Sequence, residues 1–319
     1  MKRGRASPIS YPGWSLGTRY GGFASGVREA EPLVFCPEKK MSELENLEAF
    51  ETDGSGNGES LTVEAAIANL SGTDLGQRYY AAWWLGRFRV STPAAVDALI
   101  ATLSDESDLT PDGGYPLRRN SARALGKLGD VRAVPGLIAC LDCTDFYVRE
   151  AAAQSLGMLG DRAAVPKLIQ LLQGGLEAAQ PIPGCPHLAQ PYDAILEALG
   201  ALGAAEAFSS IEPFLQHPTE LVQYSAARAM YQLTQDPVYG DRLIAALKND
   251  KLQLRRSALS DLGAIGYLPA AEAIAQTHAE NSLKLISLKG LLEHQIDRSP
   301  FERLSEGAIR VMALMDDLL

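Results

Sequence analysis

The sequence predicts an all-α fold, a right-handed α-solenoid of stacked helical hairpins. Three observations predict it. The first is a ladder: a leucine, once a methionine, returns seven residues after a recurring start position. The starts are Arg78, Arg118, Arg149, Tyr192, Gln223, Arg255 and Lys284, and the ladder is Leu85, Leu125, Leu156, Leu199, Met230, Leu262 and Leu291. Successive rungs lie 40, 31, 43, 31, 32 and 29 residues apart, a period that fits a helix pair stacked on its neighbours. The second is the small residues between start and rung, such as Ala151-Ala152-Ala153, which let helices approach closely. The third is punctuation. Pro135 and Pro166 fall in first turns, where a missing N–H costs nothing, and Gly-Asp at 129–130 and 160–161 ends one helix and opens the next turn.

In chain order, residues 1–40 are basic, rich in Gly, Pro and Ser, and lack helical periodicity. They contain no apolar core of a secretory signal. Met41 opens a new register, so 1–40 is expected to be an upstream extension of a protein that starts at Met41. Residues 52–60 read as a flexible linker. The expected organisation is extension and linker over 1–60 and one solenoid domain over 61–319. In each hairpin the first helix (A) is expected near 93–103, 133–142, 164–173, 206–216, 237–248 and 269–279. The second (B), which carries the ladder, is expected near 78–89, 117–128, 147–159, 192–202, 220–233, 253–265 and 282–293. Further helices are expected at 62–70 and 301–318. The hairpins are HEAT-like in appearance.

The bulk properties exclude several functions. A net charge of −10 argues against nucleic acid as the main partner, and against a HEAT-like DNA glycosylase, because phosphate binding needs a basic face. No apolar run approaches the roughly 18 residues of a membrane span. Four cysteines in 319 residues suggest a reducing compartment. Cys140-x-x-Cys143 resembles half a metal or redox site, but no second Cys/His pair stands at ligand spacing and Cys140 falls on an apolar face, so no metal is expected. No phosphate-binding glycine loop, dinucleotide motif or Ser-His-Asp order is present.

Function is expected on the B helices. Counting each start as zero, offsets 3, 4, 7 and 10 are almost throughout Ala, Leu, Ile or Met, the buried stripe. Offsets 1 and 5 lie one turn apart, off that stripe. In order they read Tyr79/Trp83, Arg119/Arg123, Glu150/Gln154, Asp193/Glu197, Tyr224/Arg228 and Arg256/Ser260. The B helices of such a stack line its concave surface, so the lining begins aromatic, turns basic, then acidic, then mixed. Trp84 at offset 6 reads as packing. Two A-to-B turns are enlarged, at 104–116 and 174–191, and both emerge on the same edge, as two walls around the Arg119–Glu150–Asp193 stretch.

Four segments carry a resemblance. They are Tyr79-Tyr80-Ala81-Ala82-Trp83-Trp84-Leu85-Gly86-Arg87-Phe88, Thr110-Pro111-Asp112-Gly113-Gly114-Tyr115-Pro116-Leu117-Arg118-Arg119-Asn120, Asp145-Phe146-Tyr147-Val148-Arg149-Glu150-Ala151-Ala152, and Gln180-Pro181-Ile182-Pro183-Gly184-Cys185-Pro186-His187-Leu188. They resemble the E-type (alpha) subunit of the heterodimeric phycobilin lyases, over about 60–295, including the irregular insertions. The resemblance implies a cytoplasmic, cyanobacterial protein that works with an F-type subunit. The pair would join an open-chain tetrapyrrole, typically phycocyanobilin, by a thioether bond to a cysteine of a phycobiliprotein α subunit, with α-phycocyanin the expected acceptor. No cofactor is implied; the bilin is substrate. Two other readings stay open: a phycoerythrocyanin-type lyase-isomerase subunit, and a non-enzymatic scaffold for phycobilisome assembly.

A bilin's chemistry assigns candidates. Its two propionates suit guanidinium forks, for which Arg118, Arg119 and Arg123 are candidates, with Arg87 near. Its N–H groups suit carboxylates: Glu150, Asp193 and Asp112. Its flat rings suit aromatic faces: Tyr79, Trp83, Tyr115 and Tyr192. Thiol addition is expected to depend chiefly on positioning, with Glu150, His187 and Tyr115 as acid–base candidates. Cys185, a single loop thiol, is assigned no role.

Overall fold

The computed structural model describes residues 61–297 and 304–319. The expected extension and linker at 1–60, and positions 301–303 of the expected last helix, lie outside the described residues. Among the described residues the architecture is helical, with one isolated β-bridge between Pro181 and Leu188.

The ladder lies on α2 (Leu75–Arg87), α4 (Pro116–Leu128), α6 (Phe146–Leu159), α9 (Tyr192–Ala201), α11 (Glu220–Thr234), α13 (Leu252–Ile265) and α15 (Asn281–Asp297). Each packs directly on the next. All seven rungs are fully buried, each contributing about 2 kcal/mol of apolar transfer. The residue after the rung explains the close spacing. A Cβ on Gly86 would sit 2.8 Å from the Ala124 Cα, and one on Gly126 2.9 Å from the Ser155 Cα, so neighbouring backbones nearly touch there.

The outer layer holds α3 (Pro93–Thr102), α5 (Val134–Cys140), α7 (Val165–Leu171), α10 (Phe208–Ile211), α12 (Pro237–Ala246) and α14 (Ala271–Gln276), each against a ladder helix. The stack is flanked by α1 (Val63–Leu70) on α2 and α3, and by α16 (Glu306–Asp316) on α14 and α15. Four outer segments enter through a 3-10 turn, at 131–133, 162–164, 205–207 and 268–270. In the first two, Asp130 and Asp161 accept from the N–H two residues on. The preceding ladder helices end on Gly129 and Gly160 at φ +76° and +74°, where a Cβ would be strained.

Three expectations are corrected. The single helix expected at 206–216 is a 3-10 turn, the four-residue α10 and a 3-10 segment at 212–216, because Pro213 has no N–H to continue the α ladder. A short helix, α8 (Gly175–Ala178), lies in the second insertion. Offset 10 is not uniformly buried: Phe88 stands just past the end of α2, 60% exposed.

Candidate functional site

The recurring arginines at the start positions are built into the stack. Arg78 donates to the Leu70 carbonyl and to Ser107, and pairs with Asp105. Arg118 donates to the Asp105 carbonyl at 2.9 Å and the Cys143 sulfur at 3.4 Å. Arg149 donates to the carbonyls of Cys143, Thr144 and Ala189 and to the Gln190 amide oxygen. Arg255 donates to the carbonyls of Asn249, Asp250 and His278. These side chains satisfy carbonyls left open at turns, and they fold both insertions back onto the stack.

Offsets 1 and 5 do form a connected face, because their side chains meet across successive ladder helices. Arg123 lies 3.7 Å from Glu150, and Arg228 pairs with Glu197 at 3.0 Å and with Asp261, at offset 6, at 3.1 Å. At the aromatic end, Trp83 is exposed and stacks on Tyr80 at 5.6 Å. Trp84 packs half-buried against Phe88 at 5.0 Å. Tyr79 is half-buried, its hydroxyl pushed up by burial and by the Asp108 charge. Arg87 is exposed at the end of α2.

Arg119 follows on α4. It is half-buried, its Nε has no hydrogen-bond partner, and its guanidinium stands 6.0 Å from the Tyr147 ring. Burial and the Arg123 charge hold its pKa below the usual arginine range. Glu150 faces it from α6. Burial, then the Asp193 charge, raises the Glu150 carboxyl, and burial raises Asp193. Further along, one guanidinium serves two carboxylates: burial raises Glu197, and Asp261 is pushed up to about 7, first by burial and then by the Glu197 charge.

The second insertion roofs this acidic stretch. His187 stacks on Phe146, centroids 4.1 Å apart and planes 11° off parallel, with Tyr147 edge-on. Its Nδ1 lies 2.9 Å from the Leu188 carbonyl, so Nδ1 carries the proton and Nε2 is left as an acceptor in the neutral ring. Below lies a cavity of about 280 Å³ lined by Phe146, Glu150, His187, Asp193, Leu221 and Val222 among others.

The structure thus brings together Arg119, Arg123, Glu150 and Asp193, with His187 over the acidic part, while Tyr79 and Trp83 lie on the preceding ladder helix. It draws four candidates elsewhere. Tyr192 is 2% exposed and packs between Phe214 and His217, so it is core and no stacking platform. Arg118 is committed to the turns. Tyr115 lies under the Arg118 guanidinium at 4.2 Å, its N–H donating to Asp145 at 2.7 Å. Asp112 is exposed in the turn closed by Thr110 and Gly114. Sequence reading missed Phe146, Tyr147 and Asp261. For Asp261 a signal existed: offset 6 otherwise carries Trp84, Ala124, Ser155, Ala198, Ala229 and Gly290, so a carboxylate in that column is out of place.

Cys140 and Cys143 are buried thiols, and burial pushes Cys140 up to about 12, which leaves it unreactive. Among the described residues no group of His, Cys, Asp and Glu could hold a metal ion, and no described helix is long and apolar enough to cross a membrane.

Comparison with known proteins agrees with this layout. The PBS lyase HEAT-like repeat family matches residues 77–105 and 222–249, and the HEAT repeats family matches 109–177. The chain is 66% identical over 264 residues to the phycocyanobilin lyase subunit alpha of Nostoc sp. PCC 7120, covering 82% of this chain and 96% of that one. It is 68% identical to the protein of that name from Pseudanabaena tenuis, over 81% of this chain and 96% of the relative. It is 45% identical to the bilin biosynthesis protein PecE of Nostoc sp. PCC 7120, over 81% and 96%. Among solved structures it resembles a chain in the complex of CpcE and CpcF of phycocyanin lyase from Nostoc sp. PCC 7120, with TM-score 0.78 and 64% identity, covering 84% of this chain and 99% of that one. A HEAT-type helical stack with these identities along nearly the whole length of its relatives belongs to the phycocyanobilin lyase alpha-subunit family, the E-type half of the heterodimeric phycobilin lyases.

Proposed function

We propose that the protein is the E-type subunit of a cytoplasmic cyanobacterial bilin lyase. With an F-type partner it joins phycocyanobilin to a cysteine of the α-phycocyanin subunit. The bilin is substrate, and no cofactor takes part. The observation that carries this reading is Arg119. A guanidinium that is partly desolvated and short of hydrogen bonds has a standing demand for a carboxylate, and a bilin propionate meets it. Arg123, only loosely paired with Glu150, supplies a second fork. Trp83 and Tyr79 on one side offer ring faces, and Glu150 and Asp193 on the other accept N–H groups.

The chemistry is an addition. The acceptor thiol loses its proton, sulfur bonds to the exocyclic carbon of the ring A ethylidene, and the bilin skeleton gains one proton, so thiol and double bond become one thioether. Glu150, whose carboxyl is raised by burial and by the Asp193 charge, is the proton donor. It is restored by the thiol proton. His187, whose Nε2 is left as an acceptor and which lines the same cavity as Glu150, relays that proton. Tyr115, turned toward Arg118, serves the wall of the first insertion and not the reacting carbon. Alignment of bilin and acceptor supplies most of the rate.

The lyase reading is supported by identities of 66% and 68% to phycocyanobilin lyase alpha subunits. It is favoured over a passive scaffold by the clustered, partly desolvated charges. The test is co-expression with an F-type subunit, α-phycocyanin and phycocyanobilin, leaving out each component in turn. Covalent colour is expected only when this chain is present. Arg119→Ala, folded by circular dichroism, is expected to weaken bilin binding by about tenfold, the loss of one charge-assisted hydrogen-bonded contact. Unchanged binding would remove the groove assignment and leave the lyase reading standing.

A further inference from the structure

The cavity under the second insertion is too small for the whole substrate. Sites for drug-sized ligands span about 300–1,000 Å³, and this one, at about 280 Å³, suits one ring and its substituents. Its walls are unlike the rest of the face. One side is the His187–Phe146 stack, another is apolar Leu221 and Val222 of α11, and Glu150 and Asp193 supply its carboxylates, with Gln190 and Thr219 as further polar lining. Glu150 both lines this cavity and pairs with Arg123 at 3.7 Å. The cavity therefore adjoins Arg123, within reach of a ligand anchored there by a carboxylate. A flat group with an in-plane N–H and apolar edges fits all three walls.

We propose that this cavity is a ring subsite, holding one terminal lactam ring of the bilin beside the stacked His187–Phe146 pair with its N–H donated to the Glu150–Asp193 carboxylates. The proposal rests on the bilin reading above and narrows it. The remaining rings then lie along the open face, with propionates at Arg119 and Arg123. The second insertion, clamped by Arg149 through Ala189 and Gln190, is the part of the chain that makes the subsite.

The test uses the complete E/F heterodimer titrated with phycocyanobilin, followed by absorbance. Leu221→Trp fills the cavity from α11 without touching the arginines, and is expected to weaken binding roughly tenfold or more. Phe146→Leu keeps apolar volume but removes the aromatic wall on which His187 stacks, and is expected to weaken binding about two- to tenfold. It gives a second reading should the tryptophan variant not fold. Asp193→Asn is expected to shift the visible band of the bound bilin, because a carboxylate no longer faces a ring N–H. If Leu221→Trp and Phe146→Leu bind as wild type while Arg119→Ala does not, the ring subsite is wrong and the bilin site stands. If the wild-type heterodimer takes up no bilin, the bilin reading fails, and this subsite with it.

Discussion

Arg228 carries one positive charge between two buried carboxylates, and that imbalance has a measurable consequence. Asp261 is 3% exposed in its side chain, with one oxygen on Arg228 and the other unpartnered. Burial and the Glu197 charge raise its carboxyl from 3.8 to about 7. A raised carboxyl means that the folded state binds the proton more tightly than the unfolded chain. Its contribution to stability is full below about pH 4 and is lost as pH rises through about 7. Asp261→Asn removes the ionisation but keeps the shape. Its urea midpoint is expected to stay flatter than wild type across that window and to equal or exceed it at pH 8. Parallel curves for the two proteins would show that Arg228 fully compensates both carboxylates. The same residue shows the limits of reading a sequence. Glu197 and Arg228 were legible as members of the lining, because they sit at offsets 1 and 5. Asp261 was not, because offset 6 faces the neighbouring helix and the lining was read only from offsets 1 and 5. Arg118 misled in the opposite way: its charge suggested a ligand, but its recurrence at the start position is the mark of a structural residue.

At the scale of elements, the punctuation was legible and the tertiary role of the insertions was only partly so. Gly129, Gly160, Pro135 and Pro166 act through local backbone geometry, so the sequence states them directly, and the ladder helices fall within a few residues of expectation. Pro213 was equally visible, yet its effect on the 206–216 helix went unread because the segment's apolar pattern dominated. The second insertion was recognised as an irregular wall, but what holds it is Arg149, an i-to-i+40 contact that no local pattern encodes. That contact predicts a local failure. Arg149→Ala removes the donors to four oxygens, each charge-assisted bond being worth about 1.5–3 kcal/mol at most. A net loss of roughly 3 kcal/mol is expected, with faster proteolysis within 174–191 than elsewhere. Arg149→Lys is not expected to rescue, since an ammonium cannot span a planar set of acceptors from both sides. Protection of 174–191 equal to wild type in Arg149→Ala would mean that His217, which holds the Ala179 carbonyl at 2.8 Å, anchors the insertion by itself.

The whole molecule orders its charge along the stack, and the order matters more than the net charge of −10. A solenoid passes little information between distant repeats, so each band of side chains keeps its own protonation chemistry: aromatic on α2, basic on α4, acidic on α6 and α9, mixed on α11 and α13. The proposed proton donor, Glu150, lies one helix from the proposed carboxylate-binding arginines, and this makes the pH profile of the assembled lyase diagnostic of both assignments. Thioether formation by the full E/F complex needs the acceptor thiol deprotonated, which gives a limb rising with pH. It also needs Glu150 protonated. Because burial and the Asp193 charge raise that carboxyl above its ordinary 4.5, the donor persists above the usual carboxylate range and is then lost, which gives a falling limb. The product is a bell. Glu150→Gln cannot donate a carboxyl proton, so it is expected to slow covalent attachment by roughly a hundredfold, within the range of a lost general acid, while bilin uptake changes little because the glutamine amide oxygen still accepts an N–H. Its profile is expected to keep the rising limb and lose the falling one. A Glu150→Gln complex that retains the bell with the falling limb unmoved would place the donor on the F-type subunit, leaving this chain the task of holding and orienting the bilin.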